Sequence, residues 1–325
     1  MNRPGAFAAD FLQVRQAPRV GEAGNGAILM GPDFPAPAKL NLFLHVIGRR
    51  ADGYHDLQTI FRFIDYGDVL RFRVRADGAI RRTKPLPGVS ADADLTVRAA
   101  RALRVASHTR LGADIELDKR LPIGGGVGGG SSDAATTLLV LNHLWQTGLT
   151  RARLMEIGLT LGADVPVFVY GRSSFAEGVG ERLQTVDLPP AWYVVLTPPV
   201  AVSTREIFAA AELTRDTKAI KLMGFSAAPE VCDRVLCDDQ VLYEEKTRND
   251  LQPVAVQRYP EIGRHLTWLG RFGAARMTGS GSSVFCAFAT RIAAQQVLDQ
   301  LPRDMKGFVA AAVDCHPLFG LADSE

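Results

Sequence analysis

The chain has 325 residues, 47% of them hydrophobic, with 37 Lys and Arg against 35 Asp and Glu. A chain of this length usually forms two domains, because a single core seldom grows past about 250–300 residues. The dispersed, nearly balanced charge argues against nucleic acid or a membrane surface as the main partner, and no apolar run reaches the roughly 18 residues that span a bilayer. We therefore expect a small-molecule substrate.

The N-terminal segment and the cysteines are typical of a cytoplasmic protein. Residues 1–36 lack the continuous apolar stretch of a secretory signal, so we expect a poorly ordered extension, with Met30 as an alternative start. The cysteines have neither metal-ligand spacing nor a disulfide-rich context, which predicts free thiols in a reducing compartment. They are Cys232, Cys237, Cys286 and Cys315.

The folded part begins with a predicted strand over residues 37–48. From Lys39 onward its residues alternate, and strand geometry places Lys39 and Asn41 on the same face, opposite a face of leucines. Two polar side chains at the start of a strand can point into a cleft. The simpler alternative for Lys39 is a solvated lysine at a strand end.

A short turn then brings Tyr54 and His55 to the start of the next strand. We expect strands over 57–64 and 69–74, joined by a hairpin turn at residues 65–68. An aromatic ring beside an imidazole is suited to stacking on a flat heterocycle and hydrogen bonding to its edge. A structural tyrosine and a surface histidine are the alternative.

A glycine-rich loop is the feature around which the chain is organised. A helix with Asp94 at its N-cap and a strand over 113–121 precede it, and six of the seven residues in Gly124–Gly130 are glycine. Ser131–Asp133 offer N-cap side chains to a predicted helix over 134–145. Backbone N–H groups and a helix dipole together predict a phosphate-binding site; a flexible linker is the alternative.

Two common nucleotide-binding motifs do not fit this loop. The P-loop requires a lysine where this chain has Ser131. Gly124, Gly126 and Gly129 satisfy G-x-G-x-x-G, but that dinucleotide pattern follows a buried apolar strand, whereas residues 115–121 alternate apolar and charged. We therefore reject the P-loop and do not expect a dinucleotide-binding site.

A carboxylate follows the next predicted helix, which covers residues 151–161 and ends at Gly162. Pro166 prevents that helix from continuing and favours an extended Val165, which would hold Asp164 in a rigid bend. A carboxylate held in this way can act as a general base. A turn-forming aspartate is the simpler alternative.

Two prolines after Leu188 mark the expected domain boundary, which gives an N-terminal domain over 37–188 and a C-terminal domain over 189–325. In the second domain we expect a strand, a helix, a loop of small residues and a further apolar strand, at 192–196, 203–208, 277–283 and 284–288. The small-residue loop gains meaning if it closes on the glycine loop.

Three segments, in this order and spacing, resemble the motifs of the GHMP kinases: Pro37–Leu42, Leu121–Ser132 and Gly279–Gly281. Three more are similar to the branch of that family that acts on a cytidine-diphosphate-linked alcohol, namely Ala51–His55, Gly162–Phe168 and Ala176–Glu181. The resemblance extends from about residue 37 to the C-terminus and is more specific than any single motif.

The resemblance implies a two-domain α+β GHMP kinase fold, with an N-terminal domain like ribosomal protein S5, a ferredoxin-like C-terminal domain and the active site between them. It implies ATP- and Mg²⁺-dependent phosphorylation of the 2-hydroxyl of a CDP-linked branched tetritol in non-mevalonate isoprenoid synthesis. A kinase of mevalonate, homoserine or a sugar is the nearest alternative. A module that binds ATP without transfer and a nucleic-acid-binding protein are more distant ones. We expect a monomer or weak homodimer.

The resemblance also implies roles for individual residues. Lys39 and Asp164 are the catalytic pair, Mg²⁺ is held mainly through ATP rather than by fixed protein ligands, and Tyr54 and Phe208 stack on the cytosine whose edge His55 reads. Asn41, Asp164 and Thr204 contact the rest of the substrate. The ATP contacts are Pro122, Ile123, Gly124, Gly125, Gly126, Val127, Gly128, Gly129, Gly130, Ser131, Ser132, Asp94 and Leu95. The family often has Asn in place of Asp94, and an aspartate cannot both accept from and donate to adenine.

Overall fold

The structure, a computed structural model, describes residues 31–220 and 247–322. Residues 1–30, Cys232 and Cys237 therefore lie outside the described residues. The first half contains β1 (Phe34–Arg49), β2 (His55–Arg75), β3 (Ile80–Arg82), α1 (Leu95–Ser107), β4 (Gly112–Asp118), α2 (Gly129–Leu144), α3 (Arg151–Leu161), α4 (Val165–Tyr170), β5 (Ser174–Gly178) and β6 (Arg182–Thr185). The second contains β7 (Trp192–Leu196), α5 (Thr204–Ala209), α6 (Gln252–Arg258), α7 (Pro260–Leu269), β8 (Arg276–Met277), β9 (Val284–Phe288), α8 (Arg291–Leu298), β10 (Gly307–Val313) and a 3₁₀ turn (Phe319–Leu321).

The long strand β2 organises the sheet. It pairs antiparallel with β1 along most of its length, with β5 near its start and with β4 near its end. β10 pairs with β2 at Ala312 and Val313 and then with β7, which carries β9 and β8 on its other side. The C-terminal strand thus joins the sheets of the two halves, so the faces of both halves can meet at one cleft.

Apolar side chains pack into three clusters. One lies where α1–α4 cover the first-half sheet, with Leu138 and Phe168 fully buried. A second lies in the second half around Val194 and Ile262. The third contains Leu40 from β1 together with residues of β7, β9 and β10, and it therefore holds the two halves against each other.

Two expectations for the first strands need correction. β1 begins at Phe34 rather than Pro37 because Phe34 is itself a core residue. The predicted hairpin at residues 65–68 is wrong, since β2 continues through it as one strand whose pairing with β1 only shifts register there. Gly67 is needed for close packing: a Cβ there would lie 2.1 Å from Ala36 O.

Two helix starts also differ from expectation. α2 begins at Gly129, with Gly128 as its N-cap, so Ser131–Asp133 lie inside its first turns and do not cap it. Pro166 does not hold an extended bend, because it occupies the first turn of α4, where a missing N–H costs nothing. Asp164 is the N-cap residue of that short helix and has helical dihedral angles.

Among residues 31–220 and 247–322, no helix combines the length and the apolar character needed to cross a bilayer.

Candidate active site

The glycine loop has a backbone suited to an anion. Gly124, Gly126 and Gly128 have φ of 72°, 74° and 75°, whereas Gly125 and Val127 do not have positive φ. Alternation of this kind turns successive N–H groups toward one side and forms an anion-binding concavity. The loop leads directly into α2, whose first N–H groups have no partner within the helix.

The loop is held in place from both sides of the cleft. Ser283 N donates to Gly125 O at 3.0 Å from the second half, and Lys39 N donates to Val127 O at 3.0 Å from β1. A Cβ on Gly126 would lie 2.4 Å from Thr278 O. The two small-residue loops of the sequence therefore do pack against each other.

The same strand start that supports the loop carries a charged pair. Lys39 Nζ lies 3.2 Å from Asp164 Oδ2, although the two residues are 125 positions apart in the sequence. The lysine side chain is 2% exposed and the aspartate side chain 37%. A buried ammonium thus meets a carboxylate that is still open to the cleft.

Neighbouring side chains fix the position of this ammonium. Lys39 Nζ also donates to Asn41 Oδ1 at 2.5 Å and lies 5.1 Å from the centre of the Phe61 ring. Asn41 in turn donates from Nδ2 to Thr59 Oγ1 at 2.9 Å, and its backbone N–H donates to Thr278 Oγ1 at 2.9 Å. The shared strand face predicted for Lys39 and Asn41 is present, and its residues bridge the two halves.

One cavity of about 520 Å³ brings most of the expected site residues together. Those that line it are Lys39, Asn41, Asp94, Leu95, Pro122, Ile123, Gly124, Gly125, Gly126, Gly128, Gly129, Gly130, Ser131, Asp164, Thr204 and Phe208. Val127 and Ser132 are buried behind the loop and do not line the cavity, and neither do Tyr54 and His55.

Asp94 accepts three hydrogen bonds from protein groups. Its Oδ1 accepts from the Thr96 N–H and hydroxyl at 2.8 and 2.7 Å, which caps α1, and its Oδ2 accepts from Arg82 Nη1 at 2.7 Å. Arg82 Nη2 also donates to Val89 O at 3.0 Å. The aspartate therefore anchors the loop between β3 and α1, which forms one wall of the cavity.

Of the three residues expected to contact a base, Phe208 lines the cavity, and His55 packs against it from outside the lining. The rings of His55 and Phe208 lie 5.1 Å apart between centroids. Tyr54 is 62% exposed and makes no ring contact with the described residues. Thr204 contacts Ser280 of the small-residue loop through their hydroxyls at 2.7 Å.

A buried cluster beside the loop was not identified from the sequence. Lys119 Nζ donates to Asp68 Oδ2 at 2.6 Å and to Asp133 Oδ2 at 2.7 Å, and both Lys119 and Asp133 line the cavity. Burial raises the pKa of Asp133 well above its usual range, although Lys119 opposes the shift. The pKa of Lys119 is raised, because burial lowers it but the negative charges of Asp133 and Asp68 together raise it by more. Only the fold brings these three residues together, so spacing gave no signal.

Comparisons with known proteins identify the family of the chain. The family model described as GHMP kinases N terminal domain matches residues 94–172, and the model described as GHMP kinases C terminal matches residues 239–307. The 4-diphosphocytidyl-2-C-methyl-D-erythritol kinase of Thiobacillus denitrificans is 59% identical over 290 residues, covering 89% of this chain and 98% of that protein. The kinase of the same name from Azoarcus sp. is 58% identical over 289 residues, covering 89% and 96%.

Solved structures give the same result. A crystal structure of 4-(cytidine 5'-diphospho)-2C-methyl-D-erythritol kinase matches with a TM-score of 0.72 at 32% identity, covering 86% of this chain and 99% of that one. A homoserine kinase from Cytophaga hutchinsonii matches with a TM-score of 0.62 at 17% identity, covering 91% and 98%, which shows a shared fold. The predicted two-domain α+β fold is confirmed.

Proposed function

Because the chain belongs to the 4-diphosphocytidyl-2-C-methyl-D-erythritol kinases of the GHMP kinase family, we propose that it phosphorylates the 2-hydroxyl of that alcohol with ATP. The products are the 2-phosphate and ADP, in non-mevalonate isoprenoid synthesis. One observation carries the proposal: Lys39 and Asp164 form a pair in the cavity that the glycine loop also lines.

Phosphoryl transfer requires mainly alignment and charge compensation at the transferred group. Asp164, which is partly exposed, accepts the proton of the substrate hydroxyl. The hydroxyl oxygen of the substrate attacks the γ-phosphorus, and the bond from that phosphorus to the β-phosphate oxygen breaks. Lys39 orients Asp164 and stabilises charge that develops on the attacking oxygen and the γ-phosphate. The two residues therefore act jointly.

The glycine loop supplies the phosphate contacts in this proposal. Its backbone N–H groups and the free N–H groups at the start of α2 hold the ATP phosphates without a lysine in the loop itself. Alternating positive φ at Gly124, Gly126 and Gly128 supports this assignment.

The residues present fit a Mg²⁺ ion that is held largely by ATP. Among the described residues, no group of three or more His, Cys, Asp or Glu side chains could hold a metal on its own. Asp94, Asp133 and Asp164 are the cavity carboxylates. Asp94 already accepts three hydrogen bonds, whereas Asp133 Oδ1 has no partner in the described part of the chain and Asp164 is open to the cavity, so Asp133 and Asp164 are the ones that would support such an ion. One or two carboxylates with substrate phosphates form the usual protein site for Mg²⁺, which neutralises polyphosphate charge.

The cytosine of the substrate binds at the Phe208 end of the cavity. In this proposal Phe208 stacks on the base, His55 hydrogen-bonds to its edge, and Tyr54 closes over it from the exposed turn that precedes β2. Asn41 and Thr204 contact the rest of the molecule. Both line the cavity.

The test is ADP release in a coupled assay, with and without the cytidine-diphosphate-linked alcohol. Mevalonate, homoserine and galactose serve as competing acceptors. We expect rapid ADP release only with the cytidine substrate and a product that carries phosphate on the 2-hydroxyl. Faster turnover with one of the other alcohols would contradict the proposal.

We also infer the compartment and the oligomeric state: the enzyme is cytoplasmic, acts on small molecules and is a monomer or weak homodimer. The nearly balanced charge of the chain supports the small-molecule part of this inference, because it argues against nucleic acid or a membrane surface as the main partner. Sedimentation at micromolar concentration tests it, and a stable higher oligomer would contradict it.

A further inference from the structure

Arg215 makes a set of contacts that the proposed reaction does not use. Its Nε donates to His55 Nε2 at 3.1 Å. Its Nη2 donates to Phe208 O at 3.0 Å and to Ala210 O at 2.6 Å, and its Nη1 donates to Leu213 O at 3.0 Å. One guanidinium therefore joins the histidine at the start of β2 to the end of α5, which carries Phe208.

These contacts determine where the histidine proton lies. A guanidinium has only donors and does not lose its proton in proteins, so His55 Nε2 must accept. A neutral imidazole that accepts at Nε2 carries its hydrogen on Nδ1. Burial, together with the charges of Arg215 and Arg49, lowers the pKa of His55. The ring is thus held neutral, with an N–H donor at Nδ1.

His55 Nδ1 is free to serve a ligand. It forms no hydrogen bond with the described residues. Nδ1 of His45 is enclosed by protein and lacks a partner among these residues, whereas Nδ1 of His55 is not among such enclosed atoms. The ring itself lies against Phe208, which lines the cavity. A donor at this position selects for an acceptor on the edge of a base.

We propose that Arg215 is a positioning residue that fixes the Nδ1–H tautomer of His55 and thereby makes the base site selective for cytosine over uracil. The inference rests on the proposed function, in which His55 reads the base. Cytosine presents an acceptor at N3, which the Nδ1–H group can serve. Uracil carries a hydrogen at N3, so the same group would meet a second donor and leave both unpaired.

The main experiment compares the wild-type enzyme with Arg215→Met. The measured quantity is kcat/KM for the cytidine-diphosphate-linked alcohol divided by kcat/KM for its uridine-diphosphate analogue. We expect this ratio to fall by about 10- to 100-fold in Arg215→Met, because the ring can then present a bare Nδ1 to the N3–H of uracil. The KM for ATP should stay near its wild-type value.

A matched control separates positioning from simple anchoring of α5. Arg258 Nη1 donates to Glu206 O of the same helix at 3.0 Å, and Arg258 makes no contact with His55 among the described residues. Arg258→Met should leave the cytosine-to-uracil ratio unchanged. Since Arg215 acts through His55, Arg215→Met should also have no further effect on the ratio in a His55→Ala background.

A second readout needs no turnover. Nitrogen-15 NMR of histidine-labelled protein, with the His55 signal assigned from His55→Ala, reports which ring nitrogen carries the proton. We expect Nδ1–H in the wild type, and a mixed tautomer with a higher His55 pKa in Arg215→Met, because a nearby positive charge is removed.

The outcomes are distinguishable. An Nε2–H tautomer in the wild type overturns the inference whatever the enzyme phosphorylates. Active Arg215→Met enzyme with an unchanged ratio also overturns it, while leaving the proposed function intact. Failure of the wild type to phosphorylate the cytidine substrate would instead refute the proposed function. Should Arg215→Met not fold, the tautomer of His55 in the wild type decides, because Nε2–H there overturns the inference and Nδ1–H supports it.

Discussion

Lys39 Nζ lies 3.2 Å from Asp164 Oδ2, and the two side chains differ sharply in exposure, 2% against 37%. The cation is therefore fixed by the protein interior, while the anion faces the space where a hydroxyl substrate would bind. Asn41 Oδ1 is also within hydrogen-bonding distance of the ammonium, so the lysine keeps a second partner besides Asp164.

The first prediction concerns this pair. Asp164→Asn and Lys39→Met should each lower kcat by about 10²–10⁴-fold, because proton transfer and charge stabilisation are lost. The KM for ATP should change little. Asp118→Asn is the control, since Asp118 forms an exposed pair with Arg120. Folded variants at either position of the pair with near-normal turnover would remove that residue from the proposed catalytic machinery.

The second prediction concerns the glycine loop. Gly126→Ala places a methyl group 2.4 Å from Thr278 O at a positive φ of 74°, so we expect at least a tenfold loss in kcat/KM for ATP together with reduced stability. Gly148 is the matched control, because it has φ of 64° but nothing within 4 Å of a new Cβ. Gly148→Ala should cost about 1–2 kcal/mol of stability from backbone strain alone. Equal ATP kinetics in both variants would contradict the assigned role of the loop.

The third prediction concerns Asp94 and its buried partner. Asp94→Asn keeps a capping side chain but leaves the Arg82 guanidinium without a charged partner, so the free energy of unfolding should fall by about 1–3 kcal/mol in urea. Adding Arg82→Met should recover part of that loss, because the unpaired buried charge is removed. Additive losses in the double variant would show that the two side chains do not depend on each other.

The fourth prediction concerns pH. Burial, aided by the charge of Arg151, lowers the pKa of His316 to about 3. Below pH 6.5 the unfolded chain therefore binds a proton at this histidine that the folded chain does not bind. The free energy of unfolding falls as the pH drops below about 6.5, by about 1.4 kcal/mol per pH unit from this group. Stability from this source is complete above pH 6.5 and is lost on acidification.

His316→Asn tests this linkage, because asparagine retains an acceptor for the Leu318 N–H, which donates to His316 Nδ1 at 3.1 Å, but does not titrate. The difference in unfolding free energy between pH 7 and pH 5 should shrink by about 2 kcal/mol relative to the wild type. An identical difference in both proteins would mean that His316 does not remain neutral in the folded state.

Local patterns predicted the elements that have one strong signal. The alternation after Lys39, the Asp94 cap and the glycine loop before an apolar helix were each visible in short stretches. The hairpin at residues 65–68 failed because its polar residues serve distant backbone groups. Asp65 Oδ1 accepts from Ala311 N at 2.5 Å, and Asp68 Oδ1 accepts from Leu121 N at 2.8 Å.

Site residues could be predicted from the sequence only where they belong to a recognisable motif. Lys39, Asp164, the glycine loop and Phe208 could be named from the sequence as members of a family pattern, and all of them line one cavity. Arg215 and Lys119 could not be named. Arg215 lies 160 positions from His55, and Lys119 pairs with Asp68 across 51 positions, so only the finished fold reveals either contact.

The backbone hydrogen bonds that fix the glycine loop, from Ser283 N to Gly125 O and from Lys39 N to Val127 O, have a thermodynamic consequence. If the loop holds the ATP phosphates as proposed, it is preorganised for them, because the entropy of shaping it is lost when the chain folds and not when nucleotide binds. Substitutions that loosen the second half of the protein should therefore weaken nucleotide affinity from a distance, without removing any atom that touches the nucleotide.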